Sequence, residues 1–269
     1  MNAVVDEFAR FLKATEQSGR RATIVNQCAS TQDIARESGP GAIVLARRQT
    51  AGRGRLGRTW ADTADAGLAL SLTLDARTIT DPGVLSIGVG LAACQACEQV
   101  LIDPQNSAIT TPATTALGLR WPNDVVERTH GRKLAGVLIE RFTDIFVVGV
   151  GINCLQGVGD WPDALRGRAV SLAELEPRLD RNSLRALVAI ELIRAIDRVL
   201  PMSPDRIARD WSARDTLVGT RRVFEHVGGR TAGTVVSVDP LSHLLVRDDA
   251  GTLHRLPALT TSMVHDASA

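Results

Sequence analysis

Residues 52–74, GRGRLGRTWADTADAGLALSLTL, decide how the rest of the chain is read. Gly52, Gly54 and Gly57 satisfy G-x-G-x-x-G, the pattern of a dinucleotide-binding turn. In that turn a helix follows at once, and its N-terminus faces a pyrophosphate. Here a polar loop, Thr59–Gly67, comes next, and then Leu68, Leu70, Leu72 and Leu74 alternate with Ala69, Ser71 and Thr73. A period of two is a half-buried strand. No Lys-Ser or Lys-Thr follows the glycines, so a Walker loop does not fit either. What remains is a glycine loop carrying Arg53, Arg55 and Arg58. Glycine lets backbone approach a ligand closely, and guanidinium forks suit carboxylate and phosphate oxygens. Without an anion, three like charges should repel one another and leave the loop mobile.

Outward from this loop the periodicity predicts a mixed α/β layout. An amphipathic helix with Val4, Val5, Phe8, Phe11 and Leu12 on one side comes first. A strand at 22–25, a helix at 31–37 capped by Ser30 or Thr31, and a strand at 42–47 precede the loop. Beyond it come a helix at 84–101 and strands at 117–121, 133–141 and 145–152. The last two are joined by a short polar turn, as in an antiparallel hairpin. Helices at 183–200 and 205–214 follow, separated by Pro201 and Pro204. From about Thr216 the texture changes to short strands with Gly or Asp turns, at 221–226, 231–238, 243–247 and 252–256, the pattern of a small β-barrel. The expected division is 1–215 and 216–269.

Composition sets limits. With 31 basic and 30 acidic side chains the net charge is +1, without the basic excess of a general nucleic-acid binder. Aromatic residues make up 3% and Tyr is absent, which disfavours a base-stacking platform. No run approaches the roughly 18 consecutive apolar residues of a membrane span, and the N-terminus lacks a signal peptide's apolar centre. A cytoplasmic setting is expected. Cys94 and Cys97 form C-x-x-C, but no second Cys/His pair lies at ligand spacing, so they read as core residues; Cys28 and Cys154 read as structural.

Five segments, in order, resemble the biotin–protein ligases. Ser30-Thr31-Gln32 is similar to that family's Ser-Thr-Asn, with Gln in place of Asn. The string from Gln49 through Gly52 to Trp60 is similar to its ligand-binding loop. Arg120-Trp121-Pro122-Asn123-Asp124, the stretch from Arg132 and Lys133 through Gly136 to Glu140, and Gly149-Val150-Gly151-Ile152-Asn153 complete the set. The resemblance implies a largely antiparallel sheet packed with helices, as in class II aminoacyl-tRNA synthetases, and a C-terminal SH3-like barrel. It implies ATP-dependent formation of biotinyl-5′-AMP and transfer of the biotinyl group to a lysine of a biotin carboxyl carrier domain. The substrates would be biotin and ATP with Mg²⁺. A monomer or weak homodimer, without DNA or membrane partners, would follow.

Each implied role suits its residue. Ser30, Thr31, Gln32 and Gln49 are neutral donors and acceptors, suited to an uncharged ureido ring, with backbone of Arg53, Gly54, Arg55 and Gly136 completing the recess. Arg53 and Arg55 would lie over the carboxylate and phosphate region, with Arg58 beside the nucleotide, and Trp60 would close the loop. Lys133 would bridge the biotin carboxylate and the α-phosphate and stabilise charge developing in the transition state. Asp124, on a loop with Asn123, would orient the acceptor amine or hold Mg²⁺; both roles stay open. Asn123 and Asn153 would bond the nucleotide, and Val158 and Trp161 would cover adenine. Lipoate ligases and octanoyl transferases share a similar core; the loop ending in Trp60 and the C-terminal β region favour biotin. A biotin-responsive repressor would carry a helix-turn-helix domain, for which the 29 residues before Ser30 are too few. The turn at 238–244 and the strand at 260–264 depart from the family's usual pattern.

Overall fold

The computed structural model describes residues 7–61, 63–79, 81–102, 116–258 and 260–264. Val4 and Val5 lie outside these. Helix α1 (Ala9–Gln17) buries Phe11, and Phe8 is buried just before it; Leu12 remains partly exposed. The main sheet comprises β1 (Arg21–Cys28), β2 (Ala42–Gln49), β5 (Gly67–Asp75), β6 (Leu117–Arg120), β7 (Asp124–Glu127), β8 (Lys133–Arg141) and β9 (Ile145–Asn153). Between β2 and β5 the glycine–arginine segment forms a minimal hairpin, β3 (Gly52–Arg53) with β4 (Thr59–Trp60). In space the main sheet runs β1-β2-β5-β9-β8-β7-β6, and every pairing except the parallel β1–β2 is antiparallel.

One face of this sheet packs on α3 (Pro82–Leu101) and α4 (Leu184–Val199), and α5 (Pro204–Ser212) packs on α3. Leu68, Leu70 and Leu72 of β5 and Val148, Val150 and Ile152 of β9 supply that core. The other face is covered in part by α2 (Thr31–Ser38), where Ala35, Val44 and Val147 form a smaller cluster. Strand β5 is therefore buried on both faces and not half-buried: Ser71 and Thr73 are as inaccessible as the leucines. Helix α3 has the length and apolar composition to cross a bilayer, but its residues are mostly buried inside the fold. Cys94 and Cys97 lie in this helix, fully buried, and burial pushes both thiols up.

The C-terminal strands β10 (Arg221–His226), β11 (Gly229–Asp239), β12 (His243–Arg247), β13 (Leu253–Pro257) and β14 (Ser262–Met263) form an antiparallel sheet in the order β13-β12-β11-β10-β14. Among the described residues no pairing joins β13 to β14, so the sheet is open where a barrel would close. It is bound to the main unit by Trp121, whose Nε1 donates to Pro240 O at 3.3 Å. Leu119 and Thr216 add backbone hydrogen bonds between β6 and the segment 214–216. Phe224, Val235 and Leu244 share the main core.

Candidate active site

A cavity of about 160 Å³ opens on the α2 side of the sheet, and its floor is made of small residues. Sheet register explains the floor. Ala69 pairs with Gly151, Gly151 with Gly136, and Gly136 with Asp124, so one row crosses four strands. Ser71 pairs with Gly149 in the next row. Side chains here would fill the space already taken: a Cβ at Gly151 would lie 2.4 Å from the Trp60 ring, and one at Gly149 would lie 3.1 Å from Gln32. Trp60 thus rests on the glycine floor rather than arching over it as a lid.

Lys133 reaches the same face as Gly136 through a β-bulge. Three positions apart, the two would point to opposite faces of a regular strand. Between Val125 and Val126 the register shifts, with Ala135 and Lys133 as their partners, so Leu134 is the extra residue. Leu134 and Ala135 both enter the core, and Lys133 turns to the cavity. Its backbone is fixed on the other edge by a bond from Lys133 N to Arg168 O at 2.7 Å, and its carbonyl accepts from Val170 N and Asn153 Nδ2. Its Nζ lies 2.6 Å from Asp124 Oδ1 and 5.4 Å from the centre of the Trp60 ring.

Asp124 opens β7, not a loop, and each of its oxygens faces a cation: Oδ1 faces Lys133, and Oδ2 accepts from Arg120 at 2.9 Å. Burial alone would raise its pKa, but the Lys133 and Arg120 charges outweigh burial and hold it at about 2. A divalent cation would have to displace one of these partners. Among the described residues no cluster of three or more His, Cys, Asp or Glu residues is placed to hold a metal. This donor set does not fit Mg²⁺, and orientation of Lys133 fits it better.

The three loop arginines differ. Arg53 donates two hydrogen bonds to Asp33, at 2.8 and 2.9 Å, and one to Glu140 at 3.1 Å. These contacts raise its pKa and lower that of Asp33. Its guanidinium ties the loop to α2 and β8, and Arg53 is also among the residues lining the cavity. Arg55 is more buried, which lowers its pKa; it donates to Ala258 O at 2.7 Å in the C-terminal unit and approaches Asn123 Oδ1 at 3.5 Å. Arg58 stands on the cavity rim, and its backbone carbonyl accepts from Gly54 N at 2.7 Å. The expected repulsion is offset for Arg53, which finds carboxylates within the fold, while Arg55 is held by a carbonyl and still meets Arg58 as a like charge.

The opposite end of the cavity is neutral. Ser30 caps α2 by accepting from Gln32 N. Gln49 Oε1 accepts from Thr31 N at 2.8 Å and lies 3.1 Å from Thr31 Oγ1, which is 2.7 Å from Ser71 Oγ. The Gln32 amide is buried against Gly149, and neither its oxygen nor its nitrogen has a hydrogen-bond partner. Such an orphan costs about 1–3 kcal/mol unless a ligand bonds it. Asn123 holds Val137 through its backbone and side chain.

The nucleotide residues named from sequence are not all brought here. Asn153 spends its amide on the carbonyls of Lys133 and Val170. Trp161 is buried with its Nε1 against Glu174 at 3.3 Å, and Val158 is exposed; neither lines the cavity. Conversely, Ser71 and the C-terminal residues Thr261, Ser262 and Met263 do line it, and sequence reasoning missed them; Gly149, from the recognised 149–153 segment, lines it as well. A hydroxyl among the small residues of a leucine strand, a feature Thr73 shares, was the available signal for Ser71. For the C-terminal residues no local signal exists.

Comparison with known proteins agrees with this geometry. The profile of the Biotin/lipoate A/B protein ligase family matches residues 18–156. The chain is 36% identical to the Biotin–[acetyl-CoA-carboxylase] ligase of Mycobacterium tuberculosis, over 82% of this chain and 77% of that protein. It is 26% identical to the Bifunctional ligase/repressor BirA of Bacillus subtilis, over 90% and 74%. The fold matches the biotin protein ligase of Aquifex aeolicus in complex with biotin and ATP, with a TM-score of 0.71, 24% identity, and coverage of 91% and 99%. The chain belongs to the Biotin/lipoate A/B protein ligase family.

Proposed function

We propose that this protein activates biotin with ATP and transfers the biotinyl group to a lysine of a biotin carboxyl carrier domain. The observation that carries the reading is the juxtaposition, in one cavity, of a neutral hydrogen-bonding recess and the Lys133–Asp124–Arg120 charge cluster. The recess suits a cyclic urea, and the cluster suits a carboxylate meeting a phosphate. The M. tuberculosis relative's name supports the same substrate.

In the first step a biotin carboxylate oxygen attacks the α-phosphorus of ATP and pyrophosphate leaves with the bonding pair. Lys133 offsets repulsion between the two anions and stabilises charge on the phosphorus oxygens. In the second, a carrier amine attacks the acyl carbon, the bond to AMP breaks, and the amine loses a proton. A carboxyl held at about 2 is a weak base at neutral pH, so Asp124 is assigned to positioning Lys133 and the amine rather than to accepting that proton. Any magnesium would arrive with the nucleotide. Residues 1–215 form the catalytic unit in this reading, and 216–269 complete the cavity from outside. The enzyme is assigned to the cytoplasm, where ATP and carrier meet.

Biotin-dependent ATP–pyrophosphate exchange, run beside lipoate and octanoate, tests the reading. Exchange with biotin alone, followed by a mass increase on a carrier lysine, is expected. Exchange with lipoate and none with biotin would replace it with the family's other branch.

A further inference from the structure

Arginine is concentrated where the C-terminal unit meets the main sheet. A second cavity of about 840 Å³ lies there, against about 160 Å³ for the reaction cavity. Its walls come from three distant parts of the chain: the β7–β8 turn at 128–131, the segment 166–168, and residues 216–223 with Met263 and Val264. Arg120, Arg128, Arg166, Arg168, Arg221 and Arg222 line it, and Glu127 is the one carboxylate among the described lining residues. Glu127 is buried and already engaged, accepting from Thr129 N, His130 N and Arg132 Nε. In a chain of net charge +1 this excess is local.

Contacts within the fold leave most of that charge in place. Arg166 and Arg221 pair with Asp163 and Asp249 at 2.8 and 2.7 Å, but both carboxylates stand in solvent, where such a pair is worth little. Arg128 and Arg222 donate to backbone carbonyls, of Leu117 at 2.7 Å and of Arg221 at 2.9 Å, which carry no net charge. The groove also joins the reaction cavity, because Arg120 and Met263 line both. One of its walls is fixed to Lys133, whose N donates to Arg168 O. An amine moving along the groove would pass Arg120 and arrive at Asp124 and Lys133. Small-molecule sites are built mainly from apolar and aromatic walls. No Phe, Tyr or Trp lines this one, and clustered arginines instead recognise acidic protein segments.

We propose that this arginine groove is the docking surface for the acceptor protein: an acidic face of the carrier domain seats against the C-terminal unit and the β7–β8 turn, and its lysine enters the reaction cavity past Arg120. The inference rests on the biotin reading and adds where the second substrate binds and by what chemistry. It also gives the C-terminal unit a task, since Arg221 and Arg222 form one wall. Charges so placed speed encounter with an acidic partner and turn away a basic one. Adenylation, on the far side of Arg120, does not depend on them.

The test compares wild type with the double variant Arg221→Glu and Arg222→Glu, and with Arg166→Glu on another wall. Both half-reactions are measured: biotin-dependent ATP–pyrophosphate exchange, and transfer to a purified biotin carboxyl carrier domain at low and high salt. Exchange should keep its KM for ATP, biotin and pyrophosphate, while KM for the carrier rises about tenfold in the double variant at low salt. Arg166→Glu should raise it about threefold, and it carries the test if the double variant does not fold. Both differences should shrink at about 0.5 M salt, where the screening length falls to about 4 Å. An unchanged KM for the carrier would overturn the inference, including the case where the variants instead lose binding of a duplex DNA oligonucleotide. An equal rise in KM for ATP or pyrophosphate would overturn it too, by making the groove a phosphate channel. Each of these outcomes leaves the proposed function intact. A wild type without biotin-dependent exchange would overturn that function, and this partner with it.

Discussion

At one end of the cavity, Ser30, Thr31, Gln32, Gln49 and Ser71 carry no charge and differ only in which atoms donate and which accept. At the other end, Lys133, Asp124, Arg120 and Arg55 are charged, and each is held by an opposite charge or a carbonyl. The two ends do different work for a physical reason. A neutral hydrogen bond contributes only about 1 kcal/mol when made, but leaving its partner buried and unmet costs more, so neutral groups discriminate between ligands. Charges aimed at a reacting centre lower a barrier and do little to tell one carboxylate from another. Changes at the charged end should therefore reduce kcat, and changes at the neutral end should raise KM for biotin.

Lys133→Ala offers the largest effect. Biotin-dependent pyrophosphate exchange should fall on the order of 10²–10³-fold in kcat, with biotin affinity in calorimetry changed far less. Equal losses in both would erase the distinction between the ends.

Asp124→Asn probes the charged end through stability. The carboxyl's pKa is lowered from 3.8 to about 2, so its contribution is complete above pH of about 4 and is lost as pH falls toward 2. That contribution is roughly 2 kcal/mol. Acid unfolding followed by circular dichroism should show a shallower slope in this window for the variant; an identical slope would remove the buried ion pairs from the account. Arg55→Ala should speed dissociation of the adenylate about tenfold, because one charge-assisted bond to the C-terminal unit is lost. Rapid-quench release measurements check this, and an unchanged rate would leave Arg55 as loop scaffolding.

Gly149→Ala is the mildest and the most specific. Its Cβ would meet Gln32 at 3.1 Å, so a flexible amide must give way by a few tenths of an ångström. KM for biotin should rise about threefold with kcat unchanged, a small overpacking cost. A fall in kcat instead would show that the neutral end also sets the reaction geometry.

Much of this was legible in the chain. Leu68–Leu74, Ile145–Asn153 and Lys133–Arg141 announce themselves by period and by β-branched content, and their hairpin pairing follows from the short turn between them. The segments at 30–32, 49–60, 120–124 and 133–136 were recognisable as site motifs, and all line the cavity at least in part. Strand β7 was missed although it is as long as β6, because the charged Asp124 and Glu127 at its ends leave only two valines to mark it. The side-chain targets of Arg53 could not be read, because Asp33 and Glu140 are 20 and 87 positions away. Trp161 was misplaced for a similar reason: an aromatic in a loop says nothing of whether it faces a ligand or Glu174.

The bulge at Leu134 has a consequence in counting. Strand faces are a matter of odd and even, and Lys133 sits on the wrong parity for the floor it serves. One unpaired residue corrects the count, as a single step changes the phase of an alternating series. Insertions or deletions between Lys133 and Gly136 would therefore be tolerated, for the lysine's direction, only in pairs or with a second bulge to cancel them. The position of the lysine's charge in the site is thus written not in any one residue but in the arithmetic of four.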